Sequence, residues 1–310
     1  MIAIPHALVL AAGLGTRLRP LTSVRAKPAM PVGGDPIVRR ILRWLATHGV
    51  ADVVVNLHHL PQTIVRCVGD GSDLSVRVRY SWEQPVVLGT AGGPRRAAPI
   101  LGANAFLIVN GDTLTDVDLS ALVEAHLRSG ARVTLAVVPH PDPDRYGGVR
   151  VGEDGRVLGF ARAGAADGTY HFVGVQVASA DVFAALAEDQ PVDSIGGLYD
   201  AEISRQPGAV RAFVTPAAFL DVGTVGDYWR TAWASAREGT DVQTGARVRI
   251  APGARVSRSI LWDDVEVCEG AVLEECIATD GARIPPGSRY RRTILCRSAA
   301  GALDAFPLPR

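Results

Sequence analysis

An apolar run near the start of the chain passes directly into a glycine-rich turn. Residues 7–17 are Ala7-Leu8-Val9-Leu10-Ala11-Ala12-Gly13-Leu14-Gly15-Thr16-Arg17. A continuous apolar run of this length, ended at once by glycine, is typical of a buried parallel strand that feeds a loop. Glycine lets backbone N–H groups approach phosphate oxygens, because no Cβ stands in the way. This stretch therefore predicts a buried strand followed by a candidate phosphate loop.

Strand-like and helix-like stretches alternate along the chain before residue 240. Strand patterns occupy residues 53–57, 105–109 and 133–138, and helical patterns occupy residues 36–48 and 119–129. Such alternation is typical of an α/β fold with a mostly parallel sheet that helices cover on both faces. Ligands of these folds gather beyond the carboxyl ends of strands. We therefore expect the functional loops to follow strands.

The tail after residue 240 repeats with a period of 17 residues. Three registers share this spacing: Ile250/Val267/Ile284, Gly253/Gly270/Gly287 and Ile260/Ile277/Ile294. A shared period predicts stacked coils, and the apolar spacing within each period is similar to the hexapeptide repeat of left-handed β-helices. Only about three coils fit, so this short domain needs burial against another domain or subunit. The predicted domains are residues 1–238 and residues 239–310.

The composition argues against several classes of protein. The 310 residues carry 32 basic and 32 acidic side chains, whereas nucleic acids and anionic membranes usually require a basic excess. No apolar run has the length of a membrane span, and the N-terminal residues lack the features of a signal peptide. The four cysteines have neither a C-x-x-C nor a zinc spacing. We expect a cytoplasmic protein with reduced thiols and no nucleic-acid or membrane partner.

One basic residue differs from all the others. Of the 32 basic side chains, 31 are arginine, and Lys27 is the single lysine. Lysine carries a compact point charge, whereas arginine carries a broad planar fork. This favours a site in which one positive charge must fit beside a crowded phosphate.

The full string around the glycine turn resembles the signature of a known family. It reads Gly13-Leu14-Gly15-Thr16-Arg17-Leu18-Arg19-Pro20-Leu21-Thr22 and continues at Lys27-Pro28-Ala29-Met30-Pro31-Val32. Every fixed position matches the patterns G-x-G-T-R-L-x-P-L-T and K-P-x-x-P-V of the sugar nucleotidylyltransferases. That family includes glucose-1-phosphate thymidylyltransferases and mannose-1-phosphate guanylyltransferases. The string matches neither a Walker A loop nor the dinucleotide-binding fingerprint G-x-G-x-x-G, because Leu18 stands where the third glycine belongs.

The resemblance covers roughly residues 5–235 and implies a Rossmann-like nucleotidyltransferase domain. It implies an enzyme that joins a nucleoside triphosphate to a sugar 1-phosphate and releases pyrophosphate. Arg17 would hold the β- and γ-phosphates, and Lys27 would neutralise charge around the α-phosphorus, so both are candidate catalytic residues. The loop residues that would wrap the base and triphosphate are Leu10, Ala12, Gly13, Gly15 and Thr16.

Two aspartates directly follow apolar strand patterns, Asp112 and Asp221. Mg²⁺ prefers one or two carboxylates together with phosphate oxygens. The resemblance implies that both aspartates bind a catalytic Mg²⁺, and that Asp112 is also a catalytic residue. Asp116 and Asp118 have a calcium-like spacing but lack the remaining positions of a calcium loop, so we expect them to start a helix.

The region after Trp82 is similar to the base pocket of the family. Glu83 or Gln84 would read an edge of the base, Gly89 would let the base lie against the backbone, and Thr90 belongs to the same pocket. The motif Leu88-Gly89-Thr90-Ala91-Gly92 is more similar to the guanylyltransferase branch than to the thymidylyltransferase branch. This favours GTP as the nucleotide, with UTP or dTTP as the alternative.

The segment Tyr146-Gly147-Gly148-Val149 is similar to the sugar-contacting motif of the family. Two departures follow it: Ala161-Arg162-Ala163 stands where many members have E-K-P, and Phe172-Val173-Gly174 stands where they have N-A-G. Arg162 would replace the lysine that contacts the sugar phosphate, and the identity of the sugar stays open. The residues assigned to the sugar are Gly147, Arg162 and Gly174.

Two other classes of protein are alternatives to an active nucleotidylyltransferase. A catalytically silent regulatory subunit would usually have lost the loop arginine, the lysine or a metal aspartate, and this chain keeps them all. An acyltransferase tail would generally use a histidine base, yet all seven histidines lie at or before His171. We therefore expect the repeat to serve a structural role or to join copies into a homo-oligomer.

Overall fold

The computed structural model describes residues 3–298 and 300–309. Met1 and Ile2, which begin the stretch assessed for a signal peptide, lie outside the described residues. The chain forms two compact units, the first from residues 3–13, 39–61 and 68–220, and the second from residues 14–38, 62–67 and 221–309. These units cut across the boundary at residues 238 and 239, which stays a prediction.

A mixed β-sheet forms the centre of the first unit. In spatial order its strands are Val157–Ala161, Gly148–Val151, Tyr170–Ser179, Ala105–Asn110, His6–Leu10, Asp52–Leu57 and Arg77–Trp82, with Val133–Pro139 beside Tyr170–Ser179 and Val210–Val214 beside Val133–Pro139. The four strands from Ala105–Asn110 to Arg77–Trp82 pair in parallel. Tyr170–Ser179 pairs antiparallel with both of its long neighbours. The predicted α/β class with a mostly parallel, mixed sheet is confirmed.

Three strands of the parallel half, His6–Leu10, Asp52–Leu57 and Ala105–Asn110, are largely apolar and buried, as expected for inner strands, whereas the edge strand Arg77–Trp82 is only partly buried. Ala7, Leu8 and Val9 are completely buried in the first strand. The predicted helix over 119–129 is Leu119–Ser129, and the one predicted over 36–48 is Ile37–Thr47. The helices of the chain are Ile37–Thr47, Pro61–Val68, Gly89–Leu101, Leu119–Ser129, Asp181–Ala184, Tyr199–Arg205 and Val225–Ala234. Within the described residues, none of them combines the length and apolarity that crossing a membrane requires.

The second unit contains residues 14–32, here called the signature segment, whereas Gly13 ends a segment of the first unit. Three short 3₁₀ turns and a small hairpin follow one another before the first helix, and helix Val225–Ala234 belongs to the same unit. The turns are Thr16–Leu18, Leu21–Ser23 and Lys27–Ala29, and the hairpin strands are Pro31–Val32 and Asp35–Pro36. Leu18, Leu21 and Met30 are fully buried, so apolar side chains of the signature segment hold it against the interior of the protein.

A parallel β-helix completes the second unit. Its strands are Val242–Thr244, Ser259–Leu261, Ile277–Ala278 and Thr293–Arg297 in one sheet, Arg249–Ile250, Glu266–Val267 and Arg283–Ile284 in a second, and Arg255–Ser257, Val272–Glu274 and Arg289–Arg291 in a third. A final strand, Leu303–Pro307, pairs antiparallel with Thr293–Arg297. Successive coils pair in register at a spacing of 17 residues, as in Ile260 with Ile277 and Ile277 with Ile294. The predicted period is thereby confirmed.

The three repeated glycines occupy one kind of turn. Gly253, Gly270 and Gly287 have φ values of 78°, 69° and 66°, a left-handed conformation that side chains disfavour. The coil interior is apolar, with Val267, Leu273 and Ile284 completely buried. All four cysteines are free thiols, and three of them are buried.

Candidate active site

A buried hydrogen-bonded chain fixes the start of the first loop. The Ala11 N–H donates to Asn56 Oδ1 at 2.5 Å, and Asn56 Nδ2 donates to Glu83 Oε1 at 2.7 Å. The other carboxylate oxygen, Glu83 Oε2, accepts from the Leu88 N–H at 2.7 Å. Asn56 thus links the end of the first strand to the Glu83–Leu88 loop. This role of Asn56 was not predicted, although a single asparagine near the end of an apolar strand was its signal in the sequence.

Glu83 has no surface to offer a nucleotide base. Its exposed fraction is 0%, and burial raises the pKa of its carboxyl, against the hydrogen bonds from Leu88 and Asn56. His58 Nδ1 lies within hydrogen-bond distance, 2.7 Å, of the Glu83 backbone carbonyl oxygen. The prediction that Glu83 itself could read the base does not fit this placement, because its oxygens are already engaged. Gln84, the alternative, is exposed.

The segment that begins helix Gly89–Leu101 packs on residues 192–194. The Val192 carbonyl oxygen accepts from the Ala91 N–H at 2.9 Å, and Thr90 Oγ1 accepts from the Ser194 N–H at 2.8 Å. Gly89 has φ +75°, and a Cβ there would lie 2.6 Å from the Val192 carbonyl oxygen. Contacts within the protein therefore already require glycine at position 89.

The glycines assigned to ligands differ in what surrounds them. A Cβ at Gly15 would lie 2.8 Å from Thr22 Cγ2, one at Gly147 2.9 Å from the Ala161 carbonyl oxygen, and one at Gly174 2.7 Å from Asn110 Nδ2. At Gly13 a Cβ would meet no described atom within 4 Å. Gly13 is also exposed. An open backbone at this position is the feature that a phosphate-binding loop requires.

Replacing Gly13 with alanine is expected to lower kcat/KM at least about tenfold while the melting temperature stays close to that of the wild type. The reason is that the added methyl group meets no described protein atom and would obstruct only a bound ligand. Gly89→Ala is the matched control, and its clash with Val192 should lower the melting temperature. Unchanged kinetics for Gly13→Ala would contradict a ligand-facing role for this glycine.

The charged residues of the signature lie on the turns of the second unit. Arg17 is exposed in the turn Thr16–Leu18, which the neighbouring Leu18 anchors by its burial. Lys27 is half-buried and starts the turn Lys27–Ala29, where its carbonyl oxygen accepts from the Met30 N–H at 3.1 Å. Thr22 Oγ1 donates to the Gly15 carbonyl oxygen at 2.9 Å. The second unit thus holds both predicted cationic residues on one braced segment.

Asp112 occupies the turn directly after strand Ala105–Asn110 in the first unit and is half-buried. Asp118 caps helix Leu119–Ser129 by accepting from the Ser120 and Ala121 N–H groups, as predicted for a helix start. Asp116 has a different partner, because its Oδ1 accepts from the Ala218 N–H at 2.7 Å. These two neighbours therefore have structural roles, in contrast to the role predicted for Asp112.

Asp221 begins the third segment of the second unit and is half-buried. A Cβ at Gly223 would lie 2.8 Å from Asp221 Oδ2, so glycine makes room for this carboxylate. Asp112 and Asp221 both carry the hard oxygen ligands that Mg²⁺ prefers, and Mg²⁺ binds through one or two carboxylates plus phosphate oxygens. The chemistry of each side chain fits the predicted ion, and a metal site that both aspartates share stays a prediction.

Two of the predicted sugar residues, Gly147 and Arg162, lie at strand ends of the first unit, and Gly174 lies within a strand. Gly174 has φ +77° and interrupts the pairing of Tyr170–Ser179 with Val133–Pro139 between Phe172 and Gln176. Arg162 is exposed directly after strand Val157–Ala161, and Gly147 directly precedes strand Gly148–Val151 and is exposed. That these three residues contact the sugar stays a prediction.

Four aromatic rings cluster beside Gly147, a feature that sequence analysis did not identify. The His171 ring lies 4.7 Å from Tyr146, 4.8 Å from Phe219 and 5.5 Å from His140, measured between centroids. Burial lowers the pKa of His171 to about 4, with a further contribution from His140, whereas the Gly147 carbonyl opposes the shift. His171 is therefore neutral near pH 7 and packs as an aromatic residue.

Acidification from pH 7 to pH 4 is expected to destabilise the wild type more than the His171→Gln variant. Between the ordinary histidine pKa, about 6.5, and the folded value, the unfolded chain binds a proton that the folded protein does not. The free energy of unfolding therefore falls as the pH falls through that window. Urea denaturation at several pH values measures it, with His6→Gln as the control. Equal losses in the wild type and the His171 variant would contradict the prediction.

A comparison with known protein families bears on all of these residues together. Residues 6–238 match the family model described as nucleotidyl transferase. The chain belongs to the nucleotidyl transferase family. The family resemblance derived from the signature is thereby confirmed, and the matched range includes Arg17, Lys27, Asp112 and Asp221.

Several relatives of this nucleotidyltransferase are similar along most of their length. A UTP–glucose-1-phosphate uridylyltransferase of Synechocystis sp. is 28% identical over 331 residues, covering 91% of this chain and 85% of that protein. A mannose-1-phosphate guanylyltransferase of Mycobacterium tuberculosis is 29% identical over 291 residues, covering 93% and 79%. The solved structure of HddC from Yersinia pseudotuberculosis complexed with GMP-PN has a TM-score of 0.64 and 25% identity, covering 74% of this chain and 98% of that one.

Proposed function

We propose that this nucleotidyltransferase joins a nucleoside triphosphate to a sugar 1-phosphate and releases pyrophosphate. The observation that carries the proposal is the signature loop, in which an unobstructed glycine, Gly13, precedes the exposed Arg17 and the single lysine of the chain. The names of the uridylyltransferase and guanylyltransferase relatives agree with this reaction.

The reaction needs no covalent intermediate on the protein. A sugar 1-phosphate is anionic at neutral pH, so one of its oxygens attacks the α-phosphorus directly. The bond from the α-phosphorus to its bridging oxygen breaks, and pyrophosphate leaves with the electron pair. The barrier lies in bringing two anions together, and positioning and electrostatic stabilisation lower it.

The side chains of this protein have separate parts in that step. Arg17 binds the β- and γ-phosphates through its planar fork, and Lys27 places one positive charge beside the α-phosphorus. Asp112 and Asp221 would hold Mg²⁺, and the ion would supply positive charge that neutralises the phosphates. Leu10, Ala12, Gly13, Gly15 and Thr16 form the loop around the nucleotide. We assign the reading of the base to Gln84 rather than Glu83, with Gly89 and Thr90 shaping that pocket, and we assign the sugar to Gly147, Arg162 and Gly174.

GTP is the nucleotide that we propose. The Leu88-Gly89-Thr90-Ala91-Gly92 motif is the guanylyltransferase-like form, and the HddC structure was obtained with GMP-PN. The similarity to a uridylyltransferase makes UTP the second candidate. The sugar is left at the level of a sugar 1-phosphate, because positions 161–163 and 172–174 depart from the family patterns.

The test is pyrophosphate release from the full-length protein with Mg²⁺, each of four nucleoside triphosphates and a panel of sugar 1-phosphates. We expect release that depends on both substrates, fastest with GTP, and a nucleotide-sugar identified by mass spectrometry. The Asp112→Asn variant is the control for a contaminating activity. Silence across the whole panel would favour a regulatory subunit of the same fold, and fastest turnover with UTP would overturn the choice of GTP.

A further inference from the structure

Arg25 belongs to the signature segment but has no part in the chemistry proposed above. It lies between Arg17 and Lys27, and only 12% of its side chain is exposed. Its Nε and Nη2 donate to the two carboxylate oxygens of Asp280, both at 2.7 Å, and Nη2 also lies 2.7 Å from Asp263 Oδ2. Both acidic partners belong to the β-helix, so one guanidinium joins the signature segment to the repeat within the second unit.

The two aspartates are equivalent residues of successive coils. Asp263 and Asp280 are 17 residues apart, which is the period of the repeat, and the Asp263 N–H donates to Asp280 Oδ1 at 3.1 Å. Asp263 Oδ1 in turn accepts from the Ala246 N–H at 2.8 Å. Backbone N–H groups of the coils therefore orient both carboxylates independently of Arg25. A rigid pair of this kind suits the planar fork of arginine and would not suit the single ammonium of lysine.

A second connection joins the β-helix to the other side of Lys27. Trp262 is completely buried, and the Arg25 guanidinium carbon lies 5.3 Å from its ring centroid. The Trp262 indole N–H donates to the Tyr228 hydroxyl at 2.9 Å, and that hydroxyl donates to the Pro31 carbonyl oxygen at 2.8 Å. Lys27 thus lies on a short segment that is attached to the β-helix two residues before it and, through Tyr228, four residues after it.

We propose that the β-helix serves catalysis by holding the signature segment, with Arg25 as the positioning residue for Lys27. The inference rests on the proposed function, because it assigns to Lys27 the charge beside the α-phosphorus. Arg25 touches no reacting atom and acts only through the backbone on which Lys27 is carried. The β-helix therefore has a role within a single chain that does not depend on oligomer formation.

The principal test is the Arg25→Lys variant, which keeps the positive charge but loses the bidentate hydrogen bonds to Asp280. We expect kcat to fall roughly 10- to 100-fold, the size expected for a catalytic group displaced by about 1 Å, with KM for the nucleotide changed less than about threefold. In a Lys27→Arg background the same change should lower kcat less than about threefold, since Lys27 is already compromised. Arg247→Lys is the matched control: Arg247 binds both oxygens of Asp264 at 2.6 and 2.7 Å in the same repeat and should leave kcat unchanged.

Two outcomes would overturn the proposal: an unchanged kcat for Arg25→Lys, or an equal loss with and without Lys27. If Arg25→Lys does not fold, Asp280→Asn takes its place, because it weakens the same ion pair. It is then compared in the wild-type and Lys27→Arg backgrounds with the same expectations. Amide hydrogen exchange over residues 26–31 provides a readout without substrates, and it should be faster in Arg25→Lys than in the wild type or Arg247→Lys. If the wild type turns over no substrate, the proposed function fails by itself. In that case amide hydrogen exchange alone tests whether Arg25 positions the Lys27 segment. Equal exchange rates in the wild type, Arg25→Lys and Arg247→Lys would overturn the proposal.

Discussion

Replacing Asp112 with asparagine is expected to lower kcat at least about 1000-fold, roughly 4 kcal/mol of transition-state stabilisation, while the protein stays folded. The carboxylate follows the buried strand Ala105–Asn110 and is half-buried. In the proposed function it holds the ion that neutralises the phosphates. Asparagine keeps the size of the side chain but removes the negative charge that attracts the cation. Steady-state pyrophosphate release and a thermal melt measure the two expectations.

Asp118→Asn is the matched control for this prediction. Asp118 lies on the same segment and caps helix Leu119–Ser129 through the Ser120 and Ala121 N–H groups, and asparagine caps helices about as well as aspartate. Its kinetics and melting temperature should match those of the wild type. A near-normal kcat for Asp112→Asn would refute the assignment of Asp112 to the metal. A collapsed melt would show that the residue acts on stability instead.

The Lys27→Arg variant is expected to lose at least about tenfold in kcat, or about 1.4 kcal/mol, although the charge is kept. Lys27 is half-buried, and its neighbours Ala26, Pro28 and Ala29 are buried. The guanidinium group is broader than an ammonium and directs its donors along a planar fork. It would therefore place its charge differently beside the α-phosphorus. The measurement is kcat at saturating concentrations of both substrates.

Arg128→Lys provides the control for exchanging these two residue types. Arg128 is 71% exposed and lies 3.6 Å from Glu124 on the surface of its helix, where such a pair contributes little. This variant should behave as the wild type. If Lys27→Arg were equally silent, the single lysine of the chain would have no catalytic significance, and the role of Arg25 as its positioning residue would fall with it.

Periodicity and short-range chemistry made much of the fold predictable. The apolar run Ala7–Ala12 marked a strand buried on both faces, and the 17-residue spacing marked the coils of the β-helix, because each pattern reports which residues face an apolar interior. The signature string also identified the family, since it combines a glycine turn with Arg17 and Lys27 at fixed spacing. These features are local in sequence, and so one chain suffices to detect them.

Other features depend on contacts between residues far apart in the chain, and only the tertiary structure decided them. Glu83 or Gln84 was predicted to read a base, and Glu83 is buried with its carboxylate bonded to Asn56 and Leu88. Gly89 is crowded by Val192, which lies about 100 residues further along the chain, whereas no described atom crowds Gly13. Arg25 looked like one arginine among 31, because its partners lie in the second half of the chain. By itself, the sequence determined the strands, the repeat and the signature loop. Burial and long-range hydrogen bonds then determined which polar groups remain available to a ligand, because a side chain whose polar atoms are already paired within the protein cannot also bind substrate.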